Sequence, residues 1–225
     1  VIITIMTDDS TSLLRLMAWL SPVFPIGSFA YSAGLEQASE SRMVTNAEQL
    51  FDWLSDYLNY GSTWNDAVFF ANAWRMAKDG NKLDEISALA EAMAGTKERH
   101  QETIAQGAAF LKAANAWDMD SSTLPGQCAL PIAVGARCAN ADIDLTPALL
   151  TYLQAFVSNQ LQAAIRLSVI GQNDALKILA RFEPLLIELT ERASQTTLDD
   201  LGSFTITADI SSMRHETMES RIFQS

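Results

Sequence analysis

From Leu13 to Leu189 the apolar residues recur three and four positions apart, in blocks that end at proline, glycine or a capping residue. That spacing places each block on one stripe of a helix. Ser12 is placed to cap a first helix with Leu13, Leu14, Met17 and Leu20 inward, and a short helix is expected over about Tyr31 to Ser41. Thr45-x-x-Glu48 reads as a capping box ahead of Leu50, Trp53, Leu54, Tyr57 and Leu58. Gly61 and Ser62 break or bend the chain before Ala67, Phe70, Ala71 and Trp74, and Asp79-Gly80-Asn81 ends that helix. Leu83, Ile86, Leu89, Ala90 and Met93 form a further stripe. Thr96 is placed to cap a helix reaching about Ala116, whose many Ala and Gly residues suit close packing and a central position. Asp118 to Gly126 reads as a loop, and Pro131 fits the first turn of a helix running to about Ala139. Thr146-Pro147 is the clearest start signal, with Leu149, Leu153, Phe156, Leu161 and Ile165 behind it and Gly171 closing. Asp174 opens a last long helix carrying Leu179, Phe182, Leu186 and Leu189, in which Pro184 predicts a kink or a split.

Beyond Thr196 the period changes. Phe204, Ile206, Ala208 and Ile210 alternate with Thr205, Thr207, Asp209 and Ser211, as an extended strand would. A lone strand has no partner in a helical chain, so it is expected as an arm lying on the body or on another chain. The sequence shows no repeat, low-complexity tract or linker. The expected fold is all-α: a single helical domain of roughly eight to ten helices over residues 1–200, with residues 201–225 an extended C-terminal arm of that domain.

With 48% hydrophobic residues the chain can build a substantial core. Fifteen Lys and Arg against 27 Asp and Glu give a net charge of −12. Such a balance argues against nucleic acid and anionic membrane as partners and suits docking onto a basic protein. No apolar run approaches the ~18 residues of a membrane span. The opening VIITIM lacks the basic flank and cleavage site of a secretory leader, so a cytoplasmic protein is expected. Cys128 and Cys138, ten apart, match no metal-ligand spacing and read as buried free thiols.

Motifs that carry chemistry are missing where they would be needed. There is no Gly-Lys pair for a phosphate-binding loop, and His215-Glu216 is followed by Glu219 where a zinc protease needs its second histidine. Ala30-Tyr31-Ser32-Ala33-Gly34 fails as a nucleophile elbow, and no Glu-x-x-His pair exists for a di-metal bundle. His100, on the charged turn Lys97 to Glu102, reads as solvated. His215 beside Glu216 is one imidazole where tight sites gather three or four ligands. No strong metal site is expected in the monomer, while a weak or shared nickel site at a symmetric interface stays open.

Two stretches remain. Phe24 to Glu36, FPIGSFAYSAGLE, combines Pro25, Gly27 and Gly34 with the rings of Phe29 and Tyr31, the make-up of a sharply shaped connector between helices. Met213-Arg214-His215-Glu216 and Arg221-Ile222-Phe223-Gln224-Ser225 interleave charge with Met213, Met218, Ile222 and Phe223. That segment is either a solvated end or a docking segment with flexible apolar anchors. The pattern Pro25-x-Gly27-x-Phe29-x-x-Ser32-x-Gly34-Leu35-Glu36, with the MRHE and RIFQS ending, resembles the urease accessory protein UreF family across essentially the whole chain. Ser28 stands where many members carry a second glycine, which relaxes the local turn requirement.

The resemblance implies a non-catalytic, dimeric, helical chaperone of urease maturation. Its implied partners are the scaffold protein UreD (UreH in some organisms), the nickel-carrying GTPase UreG and the urease apoprotein. It implies no cofactor of its own, nickel being handled by the assembled complex. It assigns Arg214, His215, Glu216, Arg221 and Phe223 to a scaffold-docking tail. It assigns Pro25, Gly27, Phe29, Ser32, Gly34 and Glu36 to a shaped surface near the dimer or GTPase face. Two alternatives stand beside it: a GTPase regulator without a bridging role, and an enzyme with an unrecognised site.

Overall fold

The computed structural model describes residues 2–117 and 124–225, with side chains from residue 10 onward. Among these residues the chain forms ten α-helices and no strand, so the all-helical expectation holds. They are α1 (Ile2–Trp19), α2 (Leu35–Glu40), α3 (Ala47–Tyr60), α4 (Ser62–Lys78), α5 (Asp84–Ala92), α6 (Lys97–Ala114), α7 (Leu130–Asn140), α8 (Leu145–Arg166), α9 (Gln172–Ser194) and α10 (Ile206–His215). The loop expected from Asp118 lies, as far as residue 123, outside the described residues.

One hydrophobic core unites α1 to α9, and Ala208 of α10 joins a smaller cluster with Ala33 and Tyr57. The middle of the main core is α7, not the Ala- and Gly-rich α6. Nine of the eleven residues of α7, Pro131 to Ala139, are buried, as a helix apolar on nearly every face demands; the charged one among them, Arg137, donates to Asn115 at 3.1 Å. Gly135 lets α4 come against it: a Cβ there would lie 2.5 Å from the Phe70 carbonyl oxygen. α6 packs on another side of α7, and α8 packs on α9.

Local signals set most boundaries. Thr96 caps α6 by accepting the Arg99 N–H at 3.2 Å, and Pro131 sits in the first turn of α7. The single residue Gly61 separates α3 from α4. Other signals are displaced. Asn46, not Thr45, caps α3, because its extended backbone brings its side-chain oxygen 3.1 Å from the Gln49 N–H, while Gln49 reaches back to the Thr45 N–H at 2.9 Å. α8 starts at Leu145, one residue before the expected cap. Pro184 lies inside α9 without dividing it.

Two expectations are corrected. α1 runs through Ser12, and its buried stripe is Leu16 and Trp19; Leu13, Leu14 and Met17 face outward. The strand expected from Phe204 is a helix from Ile206 onward. Its alternation also satisfies helical spacing: Ile206, Ile210 and Met213 share one exposed face, while Ala208, Ser211, Ser212 and His215 are buried. α10 packs on α2 and α6, and that contact overrides the period-two pattern.

Candidate functional site: the joint between the two end motifs

The two motifs singled out in the sequence meet. The N-terminal one is fixed first by aromatic packing. Phe24 lies 5.6 Å from Phe110 between ring centroids, and Trp19 meets Phe110 and Trp117 edge-on at 6.2 and 5.7 Å. Beyond it the chain turns at Gly27 and enters α2 through Gly34, whose φ is +78°. Gly34 also admits α10, since a Cβ there would sit 3.0 Å from the Ser212 nitrogen.

The C-terminal segment then folds back along this surface. Gln224 N–H donates to the Ala30 carbonyl at 2.7 Å, and Ser32 N–H donates to the Ser225 carbonyl at 2.7 Å, joined there by the Ser32 hydroxyl. Phe223 is buried, with the Arg166 guanidinium 4.2 Å above its ring. Arg166 also donates to the Phe29 carbonyl, clasping both segments.

Charged groups close the joint. Glu36 on α2 accepts the Ile222 and Phe223 N–H groups at 2.7 and 2.9 Å. His215 is completely buried, with Nε2 3.0 Å from Glu36 and Nδ1 2.8 Å from Glu98 on α6. Arg221 donates to the other oxygen of Glu98 at 2.8 Å. Burial pushes the Glu36 carboxyl up, but its hydrogen bonds from His215, Ile222 and Phe223 outweigh that and hold it below the usual range.

The predicted site residues therefore divide. Ser32, Gly34, Glu36, His215 and Phe223 are buried inside the joint. Pro25, Phe29, Arg214 and Arg221 face outward, with Gly27 and Glu216 half-buried. The segment read as an arm is seated on its own body, where Phe223 is buried and the Ile222, Phe223 and Gln224 N–H groups find acceptors in Glu36 and Ala30. His100 is half-exposed near Glu91, as read.

Sequence reasoning missed Glu98, Glu102 and Arg166. Glu98, Glu102 and Gln106 recur four apart and are buried along one face of α6; that polar stripe was the signal available. It continues into a second cluster. Arg99 pairs with Asp66 and lies 3.4 Å from Glu102, and the Tyr152 hydroxyl is 3.3 Å from Asp66. Burial pushes the Asp66 and Glu102 carboxyls up, against the pull of Arg99, and raises the Tyr57 hydroxyl to about 12. These groups floor a cavity of about 140 Å³ beneath the Pro/Gly segment, bordered by Trp19, Phe29 and Phe156. Among the described residues no set of three or more His, Cys, Asp or Glu side chains is placed to hold a metal ion. No described helix is long and apolar enough to cross a membrane.

Fold and joint define a class: all-helical proteins in which a segment ahead of α2 and the segment after α10 are locked together by a buried carboxylate–imidazole cluster. The UreF family model matches residues 44–183. The chain is 53% identical over 223 residues to the urease accessory protein UreF of Mesorhizobium japonicum, covering 98% of this chain and 100% of that protein. It is 52% identical over 227 residues to urease accessory protein UreF 1 of Brucella canis, with both chains fully covered. The Brucella anthropi protein of that name is 49% identical over 225 residues, covering 100% of this chain and 99% of that one. The chain belongs to the UreF family of urease accessory proteins.

Proposed function

We propose that this protein is a non-catalytic chaperone of urease maturation, bridging the UreD/UreH scaffold and the nickel-carrying GTPase UreG to the urease apoprotein. Family membership supports the pathway. The observation that carries the bridging role is the outer face of α10: Ile206, Ile210 and Met213 are 56, 43 and 51% exposed, flanked by Phe204 at 80% and Ile222 at 58%. A contiguous apolar stripe beside Arg214 and Arg221 is the make-up of an interface awaiting a partner. On this reading the seated tail does not reach out as a free arm; it shapes the surface from beneath. The exposed Pro25 and Phe29, with half-buried Gly27 between them, contribute a second patch, toward a second copy of the chain or the GTPase. Nickel passes through the assembled complex without a tight site here, and the assembly works in the cytoplasm.

The test is co-purification with the UreD/UreH scaffold. Ile210→Asp with Met213→Asp changes two exposed positions and is expected to abolish capture while far-UV circular dichroism and the melting temperature stay at wild-type values. Capture retained at wild-type yield rejects the α10 face as the docking surface.

A further inference from the structure

The hydrogen-bond pattern around His215 fixes more than the position of the tail. Glu36 Oε1 is taken by the Ile222 N–H, Glu36 Oε2 by the Phe223 N–H, and Glu98 Oε1 by Arg221. The same Glu36 Oε2 and the remaining Glu98 Oε2 face the two ring nitrogens of His215 at 3.0 and 2.8 Å. A neutral imidazole has one N–H and one lone pair. A neutral ring here would aim its lone pair at a carboxylate oxygen in a fully buried site, where repulsion is little screened.

We propose that His215 sits in the joint as an imidazolium, and that its second proton locks the C-terminal segment onto the body. With that proton the charges cancel, two carboxylates against His215 and Arg221. Without it one buried negative charge is uncompensated and a hydrogen bond becomes a repulsion.

The surroundings leave the ring few other partners. α2 presents Glu36. α6 presents Glu98, with Glu102 one turn further along and Arg99 already engaged by Asp66 and Glu102. The returning segment presents Arg221. On α10 itself Arg214 is exposed and Glu216 half-buried. Seating is therefore favoured while the ring holds both protons and is lost as rising pH removes one. This makes the joint a proton-sensitive latch, and the inference stands independently of the bridging role because it concerns seating alone.

Two measurements on the full chain test it. Nitrogen NMR of ¹⁵N-histidine-labelled protein reads both ring nitrogens of His215, with half-exposed His100 as internal reference. At about pH 7.5, where a free imidazole is mostly neutral, both His215 nitrogens are expected to carry protons. Amide hydrogen exchange at Ile222 and Phe223, corrected for intrinsic rates, then follows seating as the pH is raised. Protection is expected to fall with rising pH, by up to about tenfold per pH unit, while the seated ring keeps the proton that the released ring has lost, and to level off once the seated ring has lost it as well. An unprotonated ring nitrogen at about pH 7.5 with the two amides still protected overturns the latch. So does loss of the proton without loss of protection, and so do amides that are unprotected throughout.

Discussion

Replacing Glu36 with alanine removes a side chain that meets α10 and also accepts backbone N–H groups of the returning segment. Its carboxylate accepts two backbone N–H groups, from Ile222 and Phe223, and faces His215 Nε2. All three donors lose their acceptor at once, and two of them lie in buried residues. A hydrogen bond to a charged group is worth about 1.5–3 kcal/mol, and stripping one partner from a buried ionic cluster costs about 3–5 kcal/mol. The joint is therefore expected to lose about 3–5 kcal/mol. What still holds the tail is the burial of Phe223, about 2–3 kcal/mol, with the backbone bonds to Ala30 and Ser32, Arg166 over the Phe223 ring and the half-exposed pair of Arg221 with Glu98. A loss of that size shifts the seating equilibrium by at least about a hundredfold, so the tail should leave its seat far more often while the core around α7 stays folded. Amide exchange at residues 222–224 should accelerate by at least about a hundredfold, the equivalent of 2.7 kcal/mol, and trypsin should cut after Arg221 in otherwise native protein. Wild-type protection of those amides, with an unfolding free energy changed by less than about 1 kcal/mol, would refute this account of the joint.

Three further outcomes follow from the same geometry. Gly135→Ala forces a Cβ to within 2.5 Å of the Phe70 carbonyl oxygen, so α4 and α7 must part; urea unfolding should show a loss of about 1–3 kcal/mol. The Glu36 carboxyl is held below its usual value of 4.5 by its hydrogen bonds, despite burial, so its stabilisation is full above pH 4.5 and declines as the pH falls through the lowered native value. The stability gap between wild type and Glu36→Gln should accordingly narrow below that pH in acid-unfolding curves. Burial raises the Cys128 thiol to about 12 and the Cys138 thiol further; both should resist iodoacetamide at about pH 8 in the native protein and react in denaturant, as read by mass spectrometry.

The helices were legible wherever a local device acts alone. Thr96, Pro131 and Gly61 mark boundaries by their own chemistry, and the structure keeps them. What failed depended on partners distant in the chain. The period of residues 204–211 fits a strand and a helix alike, and only the presence of α2 and α6 decides between them. Leu13, Leu14 and Met17 looked like a core stripe because hydrophobicity was read without knowing which side of α1 meets Phe110. In the candidate site both motifs were legible, but not their union. Glu36 and His215 were noticed separately, whereas Glu98 was hidden in a run of charges because a buried carboxylate and a solvated one are written with the same letter. Only their closeness in space, across 179 and 117 residues of chain, turns them into one cluster.

The bond from Phe223 to Glu36 closes a stretch of 187 residues. A ribosome makes Glu36 early and must deliver nearly everything else before its acceptor oxygens are used. Until then two carboxylates wait beside an empty berth, and non-local closure of this kind is slow in entropic terms. A nascent or prematurely stopped chain thus carries an unfinished α2–α6 face even when its central helices have condensed. In effect one motif reports on the other: the Glu36 oxygens are satisfied only once residues 222 and 223 have come to lie beside them.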